Sequence, residues 1–66
     1  MQIKINSNIM DVKEDITVYA LLEDLKIMDK TMAVAVNMNV VKKDEWIIFR
    51  LQENDEVEVL NFVGGG

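Results

Sequence analysis

Only one stretch of this chain repeats its apolar residues at helical spacing, and that limits the fold more than any other feature. Val18, Leu21, Leu22 and Leu25 fall at i, i+3, i+4 and i+7. They line one side of a helix, with Glu23, Asp24 and Lys26 outside it. Thr17 stands where its side-chain oxygen can accept from the free amides of the first turn. Ile16 and Leu21 occupy the two positions of a hydrophobic staple. The spacing predicts one helix over Thr17–Lys26.

Elsewhere the pattern has period two or is a short apolar run. Gln2–Asn6 alternates, with Ile3 and Ile5 on one face, and predicts a half-buried strand. Asn6-Ser7-Asn8 supplies a turn, Ile9–Val12 returns as a second strand, and Lys13-Glu14-Asp15 closes the hairpin. Ala33–Val36 is continuously apolar and too short for a helix, which suits a central strand. Asn37-Met38-Asn39 predicts a tight turn and Val40-Val41 a short strand. Asp44–Ile47 predicts one helical turn, with Asp44 accepting from the backbone and Trp46 turned inward. Gln52–Asp55 is a polar turn leading into Glu56–Val63, the last strand. A single helix across one mixed sheet of about five strands buries these faces, so the class is α+β. Pattern alone leaves several strand orders open. The order of elements is similar to the ubiquitin-like β-grasp fold, in which the last strand pairs parallel to the first at the sheet centre.

Sixty-six residues fit one domain, 1–66, with no repeat and no internal linker. With no cysteine and no histidine, thiol nucleophiles, thiolate metal ligands, disulfides and Ser-His-Asp arrangements are excluded. Seven basic against twelve acidic residues give a net charge of −5, which argues against nucleic acid or an anionic membrane as partner. No apolar run approaches a membrane span, and Met1-Gln2-Ile3-Lys4 does not open a signal peptide. The expectation is a cytoplasmic protein with no catalytic side chains of its own, no metal and no bound cofactor.

The acidic groups Asp44-Glu45 and Glu53/Asp55-Glu56 lack the alternating oxygen spacing of a calcium loop and read as solvated surface. Met1, Met10, Met28, Met32 and Met38 follow no stripe and read as adaptable core filler, and Trp46 reads as packed in the core rather than as a ligand platform. The last strand is more informative. If Val57 and Val59 face the helix, Glu58, Leu60 and Phe62 face the other way. Nothing else in the chain is left to cover that face. Leu60 and Phe62 then form a docking patch, unless Phe62 folds over a sheet edge or packs loosely. Beyond them Gly64-Gly65-Gly66 is either a frayed terminus or a supple tail that fits a narrow channel. The tail would leave the Gly66 carboxylate sterically bare, the one group here suited to acyl transfer. A carboxylate is a poor electrophile, so it needs activation; acyl-adenylation by a partner using ATP and magnesium would supply a leaving group.

Several ordered stretches carry a closer resemblance. They are Ile16-Thr17-Val18 leading to Leu21-Leu22, Val34-Ala35-Val36-Asn37, Val40-Val41-Lys42-Lys43 before Trp46, and Asp55–Val59 through Phe62-Val63-Gly64-Gly65-Gly66. From Met1 to Gly66 the chain resembles the ThiS family, the sulfur carriers of thiamin thiazole biosynthesis. Met38 stands where the family often has glycine, and Lys42 where proline is common, both away from the tail. The resemblance implies that a ThiF-like enzyme adenylates Gly66. A persulfide from a cysteine desulfurase pathway then displaces AMP and leaves a thiocarboxylate. A ThiG-like thiazole synthase accepts the sulfur. Val63, Gly64 and Gly65 would enter the partner's active site, with Leu60 and Phe62 docking beside it. Two other readings stay open: a MoaD-like small subunit of molybdopterin synthase, with the same fold and Gly-Gly end, and a ubiquitin-like interaction module that is never conjugated. The shorter chain and the Val-Gly-Gly-Gly ending favour the thiamin carrier over the first.

Overall fold

A computed structural model describes residues 1–61 of the chain. The expectations for Phe62, Val63, Gly64, Gly65 and Gly66 lie outside the described residues. Five strands form one mixed sheet: β1 (Gln2–Ile5), β2 (Asn8–Asp11), β3 (Thr31–Val36), β4 (Asn39–Val41) and β5 (Glu56–Asn61). One helix, α1 (Val18–Asp24), follows β2. The strand order is β2-β1-β5-β3-β4. β5 runs parallel to β1 and antiparallel to β3, so the last described strand lies at the sheet centre beside the first. This is the β-grasp order, which the resemblance implied and the residue pattern alone left open.

The helix forms where its stripe and cap predict. The Thr17 hydroxyl accepts from the Ala20 N–H at 3.1 Å, and the staple residues Ile16 and Leu21 are both buried. Val18, Leu21 and Leu22 pack into one core with Ile3, Val34, Val36, Val57 and Val59 from the sheet. Trp46 is also buried there, its indole N–H donating to the Val41 carbonyl at 2.9 Å. The helix ends two residues before the expected Lys26. Lys26 takes φ 59°, its N–H donates to the Glu23 carbonyl, and the Ile27 N–H reaches back to Leu22. That pair of bonds is a Schellman ending, with Ile27 and Leu22 supplying its hydrophobic contact. A short 3-10 turn over Met28–Lys30, not foreseen from the pattern, leads into β3. There the buried Thr31 hydroxyl donates to the Ile27 carbonyl at 2.8 Å.

Both hairpins close through two-residue loops with left-handed backbone at each position, Asn6-Ser7 (φ 46° and 73°) and Asn37-Met38 (φ 51° and 71°). These are type I′ turns, whose twist matches that of the flanking strands. Met38, standing where the resembled family often has glycine, takes the left-handed backbone of the turn all the same. Two expectations are corrected. Asp44 caps nothing: the 3-10 turn begins one residue earlier, at Lys43, so Asp44 lies inside it and the preceding Lys42 makes no side-chain cap. Met32 and Met38 are not core filler, because one sits at an irregularity of β3 and the other at a loop tip, and both are exposed.

Replacing Lys26 or Met38 by glycine removes the left-handed cost of about 1–2 kcal/mol and adds glycine's flexibility penalty of about 0.5–1 kcal/mol. Each should therefore raise the unfolding free energy by roughly 0.5–1 kcal/mol, seen as a higher thermal midpoint. Lys42 already has φ −63° and ψ 147°, the conformation proline imposes. Lys42→Pro should stabilise by about 0.4–1 kcal/mol through the unfolded state. A lower midpoint in any of the three contradicts the backbone described here.

Candidate functional site: the open sheet face beside the end of β5

Strand alternation divides β5 as its sequence dictates. Val57 and Val59 are buried against the helix, while Glu56, Glu58 and Leu60 face the opposite, uncovered side. Leu60 is 54% exposed. Its neighbours across the sheet follow from register: Ala33 lies opposite Leu60, Ala35 opposite Glu58, and Val40 of β4 opposite Ala35. Because Ala33 and Ala35 are small, they form the floor of a shallow depression of about 340 Å³, with Leu60 and Val40 among its walls. The register slips by one residue between Thr31 and Ala33, a bulge that leaves Met32 exposed.

The depression is mostly apolar, with Asn6 and Glu58 as its polar lining residues. Among the described residues no group of three or more acidic side chains is placed to hold a metal ion. Nor is any helix long and apolar enough to cross a membrane. The acids singled out in the sequence have structural or solvated places. Asp55 accepts from the Gln52 N–H at 2.8 Å and from the Asn37 side chain at 2.9 Å, and Glu53 accepts from the Gln2 N–H at 3.1 Å. Asp44, Glu45 and Glu56 are exposed.

Of the residues named from sequence, Leu60 stands where alternation placed it. Its intended companion Phe62, the lead Val63-Gly64-Gly65 and the acyl end Gly66 lie outside the described residues. The sequence reading missed Val40, Ala33 and Ala35 as the surroundings of Leu60. The alternation of small Ala33 and Ala35 with Val34 and Val36 is the signal that could have found them.

A helix lying on one side of a five-stranded sheet, with first and last strands parallel at its centre and an apolar depression on its free face, defines a ubiquitin-like β-grasp domain. Comparison narrows the class. The ThiS family model matches residues 3–66, and the chain belongs to the ThiS family. It is 30% identical to the sulfur carrier protein ThiS of Escherichia coli over 66 residues, all of both chains. It is also 30% identical over 66 residues to a thiazole synthase of Paramagnetospirillum magneticum, of whose length it spans 20%. The crystal structure of thiamine biosynthesis protein ThiS from Geobacter metallireducens matches with a TM-score of 0.84 at 28% identity, covering the whole of both chains. A solution structure of a thiamine biosynthesis protein from the same organism gives 0.80 at 29%, covering 100% of this chain and 88% of that one. Membership of this family makes the chain a protein co-substrate, a sulfur carrier rather than a catalyst, and it falls on the first of the readings the sequence opened.

Leu60→Ala should cost less than about 1 kcal/mol of stability, since more than half of the side chain is already in water. Leu22→Ala, at 0% exposure, should cost about 2–5 kcal/mol. Chemical denaturation of the two variants side by side checks this; equal losses would return Leu60 to the core.

Proposed function

We propose that the chain carries sulfur for thiamin thiazole formation as a thiocarboxylate on Gly66. The family match over residues 3–66 carries this reading, because it spans the β-grasp body and the terminal glycines together. The chemistry follows from the side chains present. With no cysteine or histidine in the chain, the sulfur cannot ride on a side-chain thiol, and the α-carboxylate is the group left to bear it. A ThiF-like partner joins a carboxylate oxygen of Gly66 to the AMP unit of ATP with loss of pyrophosphate, magnesium balancing the phosphate charge. A persulfide sulfur then attacks the acyl carbon and AMP leaves. A thiol cleaves the resulting acyl disulfide, leaving the thiocarboxylate.

The body's part is presentation. β5 leads from the sheet centre toward the tail, and the apolar depression around Leu60 gives a partner a surface to close on before Val63, Gly64 and Gly65 enter its site. Phe62 would extend that surface. A thiazole synthase as sulfur acceptor is supported by the relative of that name, a stretch of which aligns with all of this chain. The persulfide comes from a cysteine desulfurase pathway in this reading, and the carrier itself binds no cofactor.

Incubation with a ThiF-type enzyme, ATP, magnesium and a persulfide donor should raise the intact mass by the difference between sulfur and oxygen. Deleting Gly66 should leave the unfolding midpoint in place and abolish adenylation. Unchanged mass with an enzyme active on another carrier, or adenylation of the truncated chain, overturns the reading. Leu60→Ala should weaken binding to the same enzyme by about tenfold, the loss of a well-placed apolar contact of about 1–2 kcal/mol.

A further inference from the structure

The end of β5 is held unequally along its two edges. On one edge β3 pairs with it as far as Thr31 and Asn61. On the other, β1 gives out early: its last pair is Ile5 with Val57, after which the Asn6 N–H donates to the Val57 carbonyl at 2.9 Å. Asn6 then turns out of the sheet with φ 46°. Its side chain stays behind. Oδ1 accepts from the Val59 N–H at 2.9 Å, and Nδ2 donates to the Val59 carbonyl at 3.3 Å. One carboxamide thus offers the acceptor and the donor that a further β1 residue would have offered, at the last buried residue of β5.

We propose that Asn6 is a positioning residue for the end of β5, its side chain standing in for a missing strand residue and fixing the path on which the chain leaves Val59. The consequence for activity rests on the sulfur-carrier reading. Asparagine is also common wherever a turn needs positive φ, and that need alone would explain its presence. The two roles separate by chemistry. Glycine keeps the turn and loses both bonds; aspartate keeps the turn and the bond from the Val59 N–H but has no donor for the Val59 carbonyl. Asn37 provides the matching comparison. It opens the other hairpin loop with φ 51°, and its Oδ1 accepts from the Glu56 N–H at 3.0 Å, at the opposite end of β5.

Freeing the exit of β5 means that a partner must order it again on docking, which weakens encounter without touching the acyl chemistry at Gly66. The test uses the full chain and its Asn6→Gly, Asn6→Asp and Asn37→Gly variants, below their unfolding midpoints. In Asn6→Gly the Val59 amide should exchange its hydrogen about tenfold faster, the loss of a hydrogen bond worth about 1 kcal/mol. Asn6→Asp should keep most of that protection. With a ThiF-type enzyme, Asn6→Gly should raise KM for the carrier about three- to tenfold at unchanged kcat, Asn6→Asp less, and Asn37→Gly should leave KM within about twofold. Unchanged Val59 exchange in Asn6→Gly, or equal KM increases in the Asn6 and Asn37 glycine variants, would overturn the proposal. If the unsubstituted chain is not adenylated at all, the carrier reading fails instead, and Val59 exchange alone decides whether Asn6 clamps the strand.

Discussion

Everything in this small body depends on the pairing of β5 along both of its edges. A strand at a sheet centre has its backbone groups taken up by neighbours, which leaves its side chains to settle which face is dry. Val57 and Val59 bring β5 down on the helix, and the same alternation turns Glu58 and Leu60 outward. One set of hydrogen bonds therefore makes the core, exposes the candidate docking face and aims the chain toward its terminal glycines. A different neighbour for β5 would lose all three.

The distribution of glycine sharpens this division of labour. All three glycines are at positions 64–66, so every left-handed position in the described body is filled by a residue with a side chain. Asn6, Asn37 and Asn54 suit such positions, since a short amide bonds locally and tolerates the geometry. Ser7, Asp15, Lys26 and Met38 occupy the same region. The body thus accepts local strain where a glycine would relieve it. Two of the asparagines do more than relieve turns: their side chains hold the start and the end of β5.

Much of this was legible in the sequence because local and global preferences agree. The stripe from Val18 to Leu25, the cap at Thr17 and the period-two runs each name one element, and each element formed. Boundaries were harder. The helix stops short of Lys26 because a Schellman ending can form without glycine, and the 3-10 turn after it has no periodicity to read. Asp44 resembled a cap in sequence but fell one residue inside its turn. The site was half legible. Alternation alone exposed Leu60, whereas its setting of Ala33, Ala35 and Val40 depends on strand register, and the Asn6 clamp depends on where β1 ends relative to β5. Neither is a property of a local window of sequence.

The parallel partnership of β1 and β5 also bears on how such a chain is made. Ile5 pairs with Val57 across nearly the whole described length, so the sheet centre cannot close on a partly synthesised chain. During translation β1, the hairpin and the helix must wait, marginal on their own, until β5 has left the ribosome. Folding therefore hinges on the arrival of β5. A folded body is accordingly a sign that synthesis has passed β5, and partners that recognise the fold would pass over fragments that lack it.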